Sequence, residues 1–191
     1  MSRPPLVLAS ASPRRLTLLA QIGVVPDRVV SPDIEEIPAR GELPREFARR
    51  IARAKAASIP EAGCVVLAAD TVVAAGRRIL PKAETAEQAR AALALLSGRR
   101  HRVVTAVLLV GPGGRRLERL VSSVVGFSRL TETQLEAYLA NGEWRGKAGG
   151  YAIQGRAASF IRFLSGSYSN VVGLPLFETA QLLRGLGWPL P

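Results

Sequence analysis

The segment LVLASASPRRLTLLAQIG, residues 6–23, contains the pattern that decides the fold. Its first part, LVLAS, is a short apolar run typical of a buried strand. Ser12 then stands where a helix N-cap belongs, and Pro13 fits the first helical position. The apolar spacing of LTLLAQIG predicts a helix that ends at Gly23. A strand that leads directly into a helix is typical of α/β domains.

The segments that follow alternate between the apolar spacing of helices and that of strands. Residues 44–59 have helical spacing, and capping-box patterns at Thr85 and Thr131 each predict the start of a further helix. The run CVVLAADTVVAAG, residues 64–76, is strongly strand-like, and AGRRIL after it predicts a turn with a short return strand. Two further segments, HRVVTAVLLVG and LERLVSSVVGFSRL, predict paired strands around the turn at 112–114.

The last third of the chain predicts a strand at 158–164, a polar turn at 165–170 and a final helix within 175–187. Helices alternate with strands, yet some strands form hairpins. This order predicts an α/β fold with a mixed central sheet flanked by helices. We found no repeat or linker, so we expect one domain over residues 1–191 that could have two lobes.

Composition narrows the class of protein. The chain has 191 residues, a net charge of +11 and one cysteine, Cys64, so it has no internal disulfide framework. Its longest apolar runs are too short for a transmembrane helix, and we expect a cytoplasmic protein. The charge suggests nucleic acid, but the arginines are scattered and no aromatic residues alternate with them. We therefore expect no nucleic-acid partner and an anionic small ligand instead.

The start of the first predicted helix has the residues of an anion site. Exposed N–H groups at a helix start attract anions, hydroxyls add hydrogen bonds, and guanidinium groups match phosphate. Ser10, Ser12, Arg14 and Arg15 supply these groups. The alternative is a capped helix with two solvated arginines, and the local pattern leaves both interpretations open.

Carboxylates supply the second candidate feature. Asp70 lies within an apolar strand, where an unpaired charge is costly, so it is either a metal ligand or base, or a turn residue at a strand end. Glu35 and Glu36 could bring a second carboxylate to the same place, or could be solvated surface. Oxygen ligands of this kind suit Mg²⁺ or Mn²⁺.

Among the other reactive residues, only the lysines are candidates for a site. Lys82 follows Pro81 and could reach a cleft, whereas Lys55 lies at the edge of an apolar helix face, where lysines commonly extend to solvent. His101, the single histidine, and Cys64 are expected to be structural. The sequence GxxxxGK[ST] does not occur, which excludes a Walker-type kinase or ATPase.

With these residues in place, the chain resembles the Maf family of nucleotide pyrophosphatases. The resemblance covers nearly the whole chain, in several separate blocks that follow one another in the family's order. The blocks are ASASPRRLTLL (9–19), IEEIP (34–38), ARRIARAKA (48–56), AADTVV (68–73), ILPKA (79–83), LSGRRHRVVTAV (96–107), GKAGGYAIQG (146–155) and GSYSNVVGLPL (166–176).

The resemblance implies two lobes around a cleft, a divalent cation and hydrolysis of nucleoside triphosphates to monophosphate and pyrophosphate. It makes Asp70 the catalytic acid–base, and it makes Arg14, Thr71 and Gln154 determinants of specificity for dTTP and UTP. With this activity in view, we expect a set of side chains to hold the triphosphate, and Asp70 with Glu36 to hold the metal. The expected triphosphate ligands are Ser10, Ser12, Arg15, Lys55 and Lys82. A homodimer is implied by the family alone.

Three alternatives remain at this stage. A 7-methyl-GTP pyrophosphatase of the same family would tend to have tryptophan, glutamine and glutamate at positions 14, 71 and 154. A non-enzymatic regulator of septum formation would bind nucleotide without releasing pyrophosphate, and a nucleic-acid binder would bind DNA in a salt-dependent way. One departure from the family concerns Lys82, which is followed by Ala83 where the family usually has proline.

Overall fold

The computed structural model describes residues 3–59 and 63–190. Its helices are α1 (Pro13–Gln21), α2 (Pro44–Ala57), α3 (Ala86–Leu96), α4 (Glu132–Asn141), α5 (Tyr168–Val172) and α6 (Leu176–Gly185). Its strands are β1 (Leu6–Ala9), β2 (Arg28–Val30), β3 (Val65–Ala75), β4 (Arg78–Leu80), β5 (Lys82–Ala83), β6 (Arg100–Val110), β7 (Arg116–Phe127), β8 (Lys147–Ala148) and β9 (Ile161–Ser165).

The central sheet has the strand order β2-β1-β3-β6-β7-β9, and β4 pairs with the second half of β3. Strand β1 is parallel to both β2 and β3, whereas the β3–β6, β6–β7 and β7–β9 pairs are antiparallel. A small second sheet joins β5 to β8. The prediction of a mixed sheet flanked by helices is confirmed.

Two lobes share this sheet. One apolar cluster packs α1 and α6 against the sheet through residues such as Leu19 and Leu183. Another packs α3 and α4 against the other end, around Leu93, Phe127 and Tyr138. The long strands contribute to both clusters: Leu67 of β3 belongs to the first and Val73 to the second. The lobes are therefore joined by continuous strands, while helix α2 covers the opposite face of the sheet.

Most local predictions are confirmed. Ser12 is the N-cap residue of α1, and the capping boxes at Thr85 and Thr131 both form, with Gln88 and Gln134 as partners. The β6–β7 pair surrounds the predicted turn, and Cys64 is buried. The side chain of Ser12, however, makes no capping hydrogen bond.

Two predictions near the C-terminus were wrong. Residues 165–170 were expected to form only a polar turn, but helix α5 begins at Tyr168, because the Ser167 hydroxyl accepts a hydrogen bond from the Asn170 N–H at 3.1 Å. The strand predicted at 158–164 begins only at Ile161, since Arg156–Phe160 form a 3₁₀ helix. Polar residues at the start of α5 interact with strands that are distant in sequence. Local periodicity does not reveal such contacts.

None of the described helices is long and apolar enough to cross a membrane.

Candidate active site

A cleft of about 370 Å³ lies between the two lobes. Its first wall is the β1–α1 segment from Ser10 to Arg15. Its second wall is formed by residues 145–148 and by Tyr151, Ala152 and Gln154, and its floor includes Asp70 and Thr71 of β3. Segments that are far apart in sequence therefore meet in one cavity of a size usual for a small-molecule site.

Asp70 lies at an interruption in the pairing of β3. On one side, β1 pairs with β3 as far as Ala68, and β4 pairs from Val73 onward, so the residues between them face neither partner strand. On the other side, β6 pairs continuously past Asp70. The carboxylate thus belongs to the middle of a strand and opens into the cleft. The alternative of a turn residue at a strand end was wrong.

Lys55 connects the two carboxylates of the site. Its ammonium nitrogen Nζ lies 2.7 Å from Oδ1 of Asp70 and 2.7 Å from Oε1 of Glu36. The other oxygen of Glu36, Oε2, is 2.5 Å from Nζ of Lys82. Two carboxylates and two ammonium groups therefore alternate along one chain of contacts, with Lys55 and Asp70 at its buried end.

This arrangement corrects two alternatives from the sequence. Lys55 does not extend to solvent from the edge of α2, because only 6% of the residue is exposed and its charge is compensated inside the protein. Glu36 is half-buried in the cleft, whereas its neighbour Glu35 is exposed. Burial by itself would raise the pKa of Glu36, but the hydrogen bonds from Lys55 and Lys82 outweigh it and lower the pKa.

The β1–α1 segment brings its hydroxyl and guanidinium groups together. Ser10 is buried, and its Oγ accepts hydrogen bonds from the Ser12 N–H at 3.1 Å and from Nη1 of Arg15 at 2.9 Å. Nε of Arg15 donates to the Gly173 carbonyl at 2.9 Å, and Nη2 lies 3.4 Å from the Thr71 hydroxyl. The alternative of two solvated arginines was wrong for Arg15, which clamps α1 to the end of α5.

The guanidinium of Arg15 places a buried positive charge at the cleft. Burial lowers the pKa of the Arg15 guanidinium, and the nearby charge of Asp70 opposes this effect. Each of its nitrogens already makes a contact within the protein, so a role in binding phosphate would come in addition to the clamp. That role stays a prediction.

The three residues expected to set specificity all line the cleft. Arg14 is half-buried, and burial lowers its pKa. Gln154 is exposed at the opposite wall. The Thr71 hydroxyl lies 3.0 Å from that of Thr105 and 3.3 Å from the Gly173 carbonyl, so it already has partners inside the protein. The structure brings the three residues to one cavity and leaves their roles as predictions.

Sequence reasoning missed part of the second wall of the cleft. Arg145, Gly146, Lys147 and Ala148 line it, and Lys82 lies opposite Ala148 in the β5–β8 sheet. The signal was the segment GKAGG, residues 146–150, which belongs to one of the blocks that carry the resemblance to the family. Ala83 pairs with Lys147 in the same sheet and is buried, and its carbonyl accepts the Gly146 N–H at 2.9 Å.

Positive charge exceeds negative charge around the cleft. Among the residues that the structure describes, the lining contains two carboxylates and six cationic side chains, which are Arg14, Arg15, Lys55, Lys82, Arg145 and Lys147. A concave site with an excess of one charge raises the local concentration of ligands of opposite charge. The arrangement suits a polyanionic ligand such as a chain of phosphates.

The carboxylates also bear on metal binding. Within residues 3–59 and 63–190, no group of three or more His, Cys, Asp or Glu side chains is placed to hold a metal ion. Asp70 and Glu36 do reach a common cationic group, the Lys55 ammonium. Mg²⁺ is commonly held by only one or two carboxylates, with substrate phosphates and waters as the other ligands. The donor set therefore fits such an ion and not a fully protein-bound metal.

His101 supports the wall of the cleft from inside. It is 2% exposed, its Nε2 lies 2.8 Å from the hydroxyl of Tyr151, and its ring packs edge-on against Phe127. Burial lowers the pKa of His101 from 6.5 to about 4, so the imidazole is neutral at physiological pH. Its place in the interior fits the structural role expected from the sequence.

We expect the free energy of unfolding to fall as the pH is lowered from 6.5 towards 4. In this window His101 is protonated in the unfolded chain and neutral in the folded chain. The free energy of unfolding therefore falls by up to ~1.4 kcal/mol per pH unit. Urea unfolding at pH 5.0 to 7.0 measures this slope, and His101→Gln should flatten it. Because His101 is the only histidine, an equal slope in wild type and variant would contradict the assignment.

The fold and the site together define an α/β protein with a cationic, ligand-sized cleft between two lobes. A family model described as "Maf-like protein" matches residues 5–186, and the chain belongs to this family.

Comparison with individual proteins gives three further findings. The chain is 62% identical over 200 residues to a dTTP/UTP pyrophosphatase of Granulibacter bethesdensis, covering 96% of this chain and 94% of the relative. It is 62% identical over 189 residues to a dTTP/UTP pyrophosphatase of Rhodospirillum rubrum, covering 98% and 90%. Among solved structures, a HAM1 protein from Coxiella burnetii has a similar fold, with a TM-score of 0.50, 17% identity and coverage of 95% and 99%.

Proposed function

We propose that this protein hydrolyses dTTP and UTP to the nucleoside monophosphate and pyrophosphate, removing these nucleotides from the pool. The observation that carries the proposal is the placement of Asp70 in a cleft lined by six cationic side chains. The names of the relatives, which share 62% of their residues with this chain over nearly its whole length, supply the substrates.

The cationic side chains would bind the triphosphate. Lys82 and Arg145 are exposed at the mouth of the cleft, and Lys147 and Arg14 are half-buried within it. The hydroxyl of Ser12 is not used as a helix cap, so it remains available to donate to a phosphate oxygen. Hydrogen bonds to an ionised group are shorter and stronger than those between neutral groups, which favours an anion here.

Asp70 would act on the attacking water. One carboxylate oxygen, Oδ1, is held by Lys55, and the other would accept a proton from the water. The water oxygen forms a bond to the α-phosphorus, and the bond from that phosphorus to the bridging oxygen of the β-phosphate breaks. Pyrophosphate leaves with that oxygen and its electron pair. The cations of the cleft stabilise the charge that moves onto the leaving group.

A divalent cation, Mg²⁺ or Mn²⁺, would be held by Asp70 and Glu36 together with oxygens of the triphosphate. Such an ion neutralises phosphate charge and polarises the phosphoryl group. Support for this site is the convergence of both carboxylates on the Lys55 ammonium.

Glu36→Gln is expected to weaken Mn²⁺ binding, by at least the ~10–100-fold that loss of a supporting group costs a metal site. The physical reason is that the variant keeps the size of the side chain and removes one of two anionic ligands. Electron paramagnetic resonance of free Mn²⁺ in the presence of a non-hydrolysable UTP analogue measures the affinity. Glu35→Gln is the matched control, because this neighbour is exposed, and equal affinities in the two variants would refute the metal site.

Arg14, Thr71 and Gln154 would favour a pyrimidine over 7-methylguanine. The amide of Gln154 can donate and accept at the edge of a pyrimidine ring, which suits uracil and thymine. A base that leaves such a polar group unpaired costs ~1–3 kcal/mol, enough for useful selection. The contacts of the Thr71 hydroxyl with Thr105 and Gly173 suggest that it shapes the wall as well as meeting the ligand.

The function is tested by pyrophosphate release from a panel of nucleoside triphosphates with Mg²⁺ or Mn²⁺. Release from dTTP and UTP supports the proposal. Release from 7-methyl-GTP alone would keep the family and overturn the specificity residues. Binding of nucleotide without release would favour a regulator of septum formation, and salt-dependent DNA binding without release would favour a nucleic-acid protein.

We also propose that the protein acts in the cytoplasm as a homodimer, with no nucleic-acid partner. Support for the location is the lone cysteine and the nature of the proposed substrates. The dimer rests on the resemblance to the family. Sedimentation equilibrium of the purified chain distinguishes it from a monomer.

A further inference from the structure

We infer that Glu143 is a positioning residue for specificity, and that it fixes the turn that presents Gln154 to the cleft. The inference rests on the proposed function, since it concerns how the same site recognises its nucleotide. Neither Glu143 nor Gly155 stood out in the sequence as a functional residue.

The turn is held at both ends by hydrogen bonds. The Gly155 N–H donates to the Ala152 carbonyl at 3.0 Å, which closes the turn over Ile153 and Gln154. Directly after it, the Arg156 N–H donates to Oε2 of Glu143 at 2.8 Å. Gln154 therefore extends from a short segment whose backbone is fixed on one side by its own turn and on the other by a distant carboxylate.

Gly155 shows how closely the carboxylate of Glu143 approaches the backbone of the turn. Its φ of −105° is open to any residue, so backbone conformation does not require glycine. A Cβ added at this position would lie 2.8 Å from Cδ of Glu143 and closer still to Oε2. The carboxylate of Glu143 thus fills the space of the absent side chain, and the two residues fit as a pair.

Glu143 is itself held in place. It follows helix α4, and its N–H donates to Oδ1 of Asn141 at 2.7 Å. The next residue, Trp144, is buried, and its indole N–H donates to the Leu139 carbonyl at 2.8 Å. The chain then continues into the cationic wall at 145–148. One carboxylate therefore joins the end of α4 and two segments of the cleft wall.

This geometry predicts an effect on binding and not on chemistry. Loosening the turn lets Gln154 leave the edge of the base, while Asp70 on the sheet and Lys55 on α2 are unaffected. An interaction that is equal in ground and transition states changes KM and leaves kcat constant. A loss of folding alone would lower the active fraction, and with it the apparent kcat, at constant KM.

The test uses Glu143→Ala, Glu143→Gln, Gly155→Ala and the double variant Glu143→Ala/Gly155→Ala. Steady-state kinetics with UTP and dTTP are compared with GTP, and Tm is recorded for every variant. Glu143→Gln keeps an oxygen acceptor for the Arg156 N–H. Glu136→Ala is the matched control, because this glutamate of α4 pairs with Arg90 at an exposed site.

We expect Glu143→Ala to raise KM for UTP and dTTP about tenfold, which is the order expected for loss of one hydrogen bond to a charged group, with kcat retained and selectivity over GTP reduced. Glu143→Gln should restore most of the wild-type KM. Gly155→Ala should be damaging alone and nearly neutral in the Glu143→Ala background, since the clash is then removed.

Other results overturn the inference. A fall of kcat and Tm at constant KM would assign Glu143 a structural role only. Equal damage by Gly155→Ala in both backgrounds would show that the two residues are not coupled. Absence of pyrophosphate release from wild type would instead refute the proposed function, while the coupling in Tm would still test whether Glu143 holds this turn.

Discussion

Asp70→Asn is expected to lower kcat for dTTP hydrolysis by ~10²–10⁴-fold, the range typical for loss of a general base. An amide has nearly the size of the carboxylate, and its carbonyl oxygen can still accept the hydrogen bond from Lys55. It cannot accept the proton of the attacking water. Single-turnover kinetics with saturating nucleotide and metal measure the effect on the chemical step.

Asp33→Asn provides the control for this substitution. Asp33 lies in the segment that leads to Glu36, and it is exposed. The same chemical change at that position is expected to leave kcat unaltered. Wild-type kcat in Asp70→Asn would exclude the carboxylate as the base, and circular dichroism of both variants establishes that the comparison is between folded proteins.

Lys55→Met is expected to lower the free energy of unfolding by ~3–5 kcal/mol, as is typical when one partner of a buried ion pair is removed. The substitution retains the apolar length of the side chain but leaves Asp70 and Glu36 facing each other without their shared ammonium. Repulsion between the two carboxylates and the desolvation of Asp70 then both destabilise the folded state. Urea unfolding at neutral pH and low metal concentration measures the loss.

The double variant Lys55→Met/Asp70→Asn separates charge from packing. If the lost ion pair causes the instability, neutralising Asp70 should recover a large part of the free energy. Lys147→Met is the control, because Lys147 lines the same cleft but donates to the Arg145 carbonyl at 3.4 Å. Equal stability of Lys55→Met and wild type would mean that the ion pairs of Lys55 make no net contribution to the free energy of unfolding.

The sequence predicted the elements whose signal is local. The strand around Asp70 was predictable because nine apolar neighbours surround one carboxylate and one hydroxyl in an unbroken β pattern. The start of α1 was predictable from a serine followed by a proline, and both capping boxes formed as expected. In these cases the residues that determine the structure lie within a few positions of each other.

The partners of the site residues were not predictable in this way. Lys55 has the spacing of a helix edge, and only the packing of α2 on β3 shows that its ammonium meets Asp70. Glu36 lies in an irregular segment without periodicity, so the local pattern did not distinguish it from Glu35, and it was expected at the site only with the family's activity in view. Arg15 and Gly173 are 158 residues apart, and their hydrogen bond forms only when α1 and the end of α5 are brought together by the fold.

The unbroken pairing of β3 with β6 has a consequence for local unfolding. From Val66 to Ala74 the strand is hydrogen-bonded to β6 without a break, so freeing the Asp70 backbone requires opening the middle of the sheet. Lys82 and Gln154 instead belong to a two-residue strand and a short turn. Amide hydrogens near Asp70 should therefore exchange at rates close to global unfolding, and those of the opposite wall much faster. The group proposed to do the chemistry is thus expected to lie in the most stable unit of the protein, and Lys82 and Gln154, which are proposed to contact the nucleotide, in segments that open first.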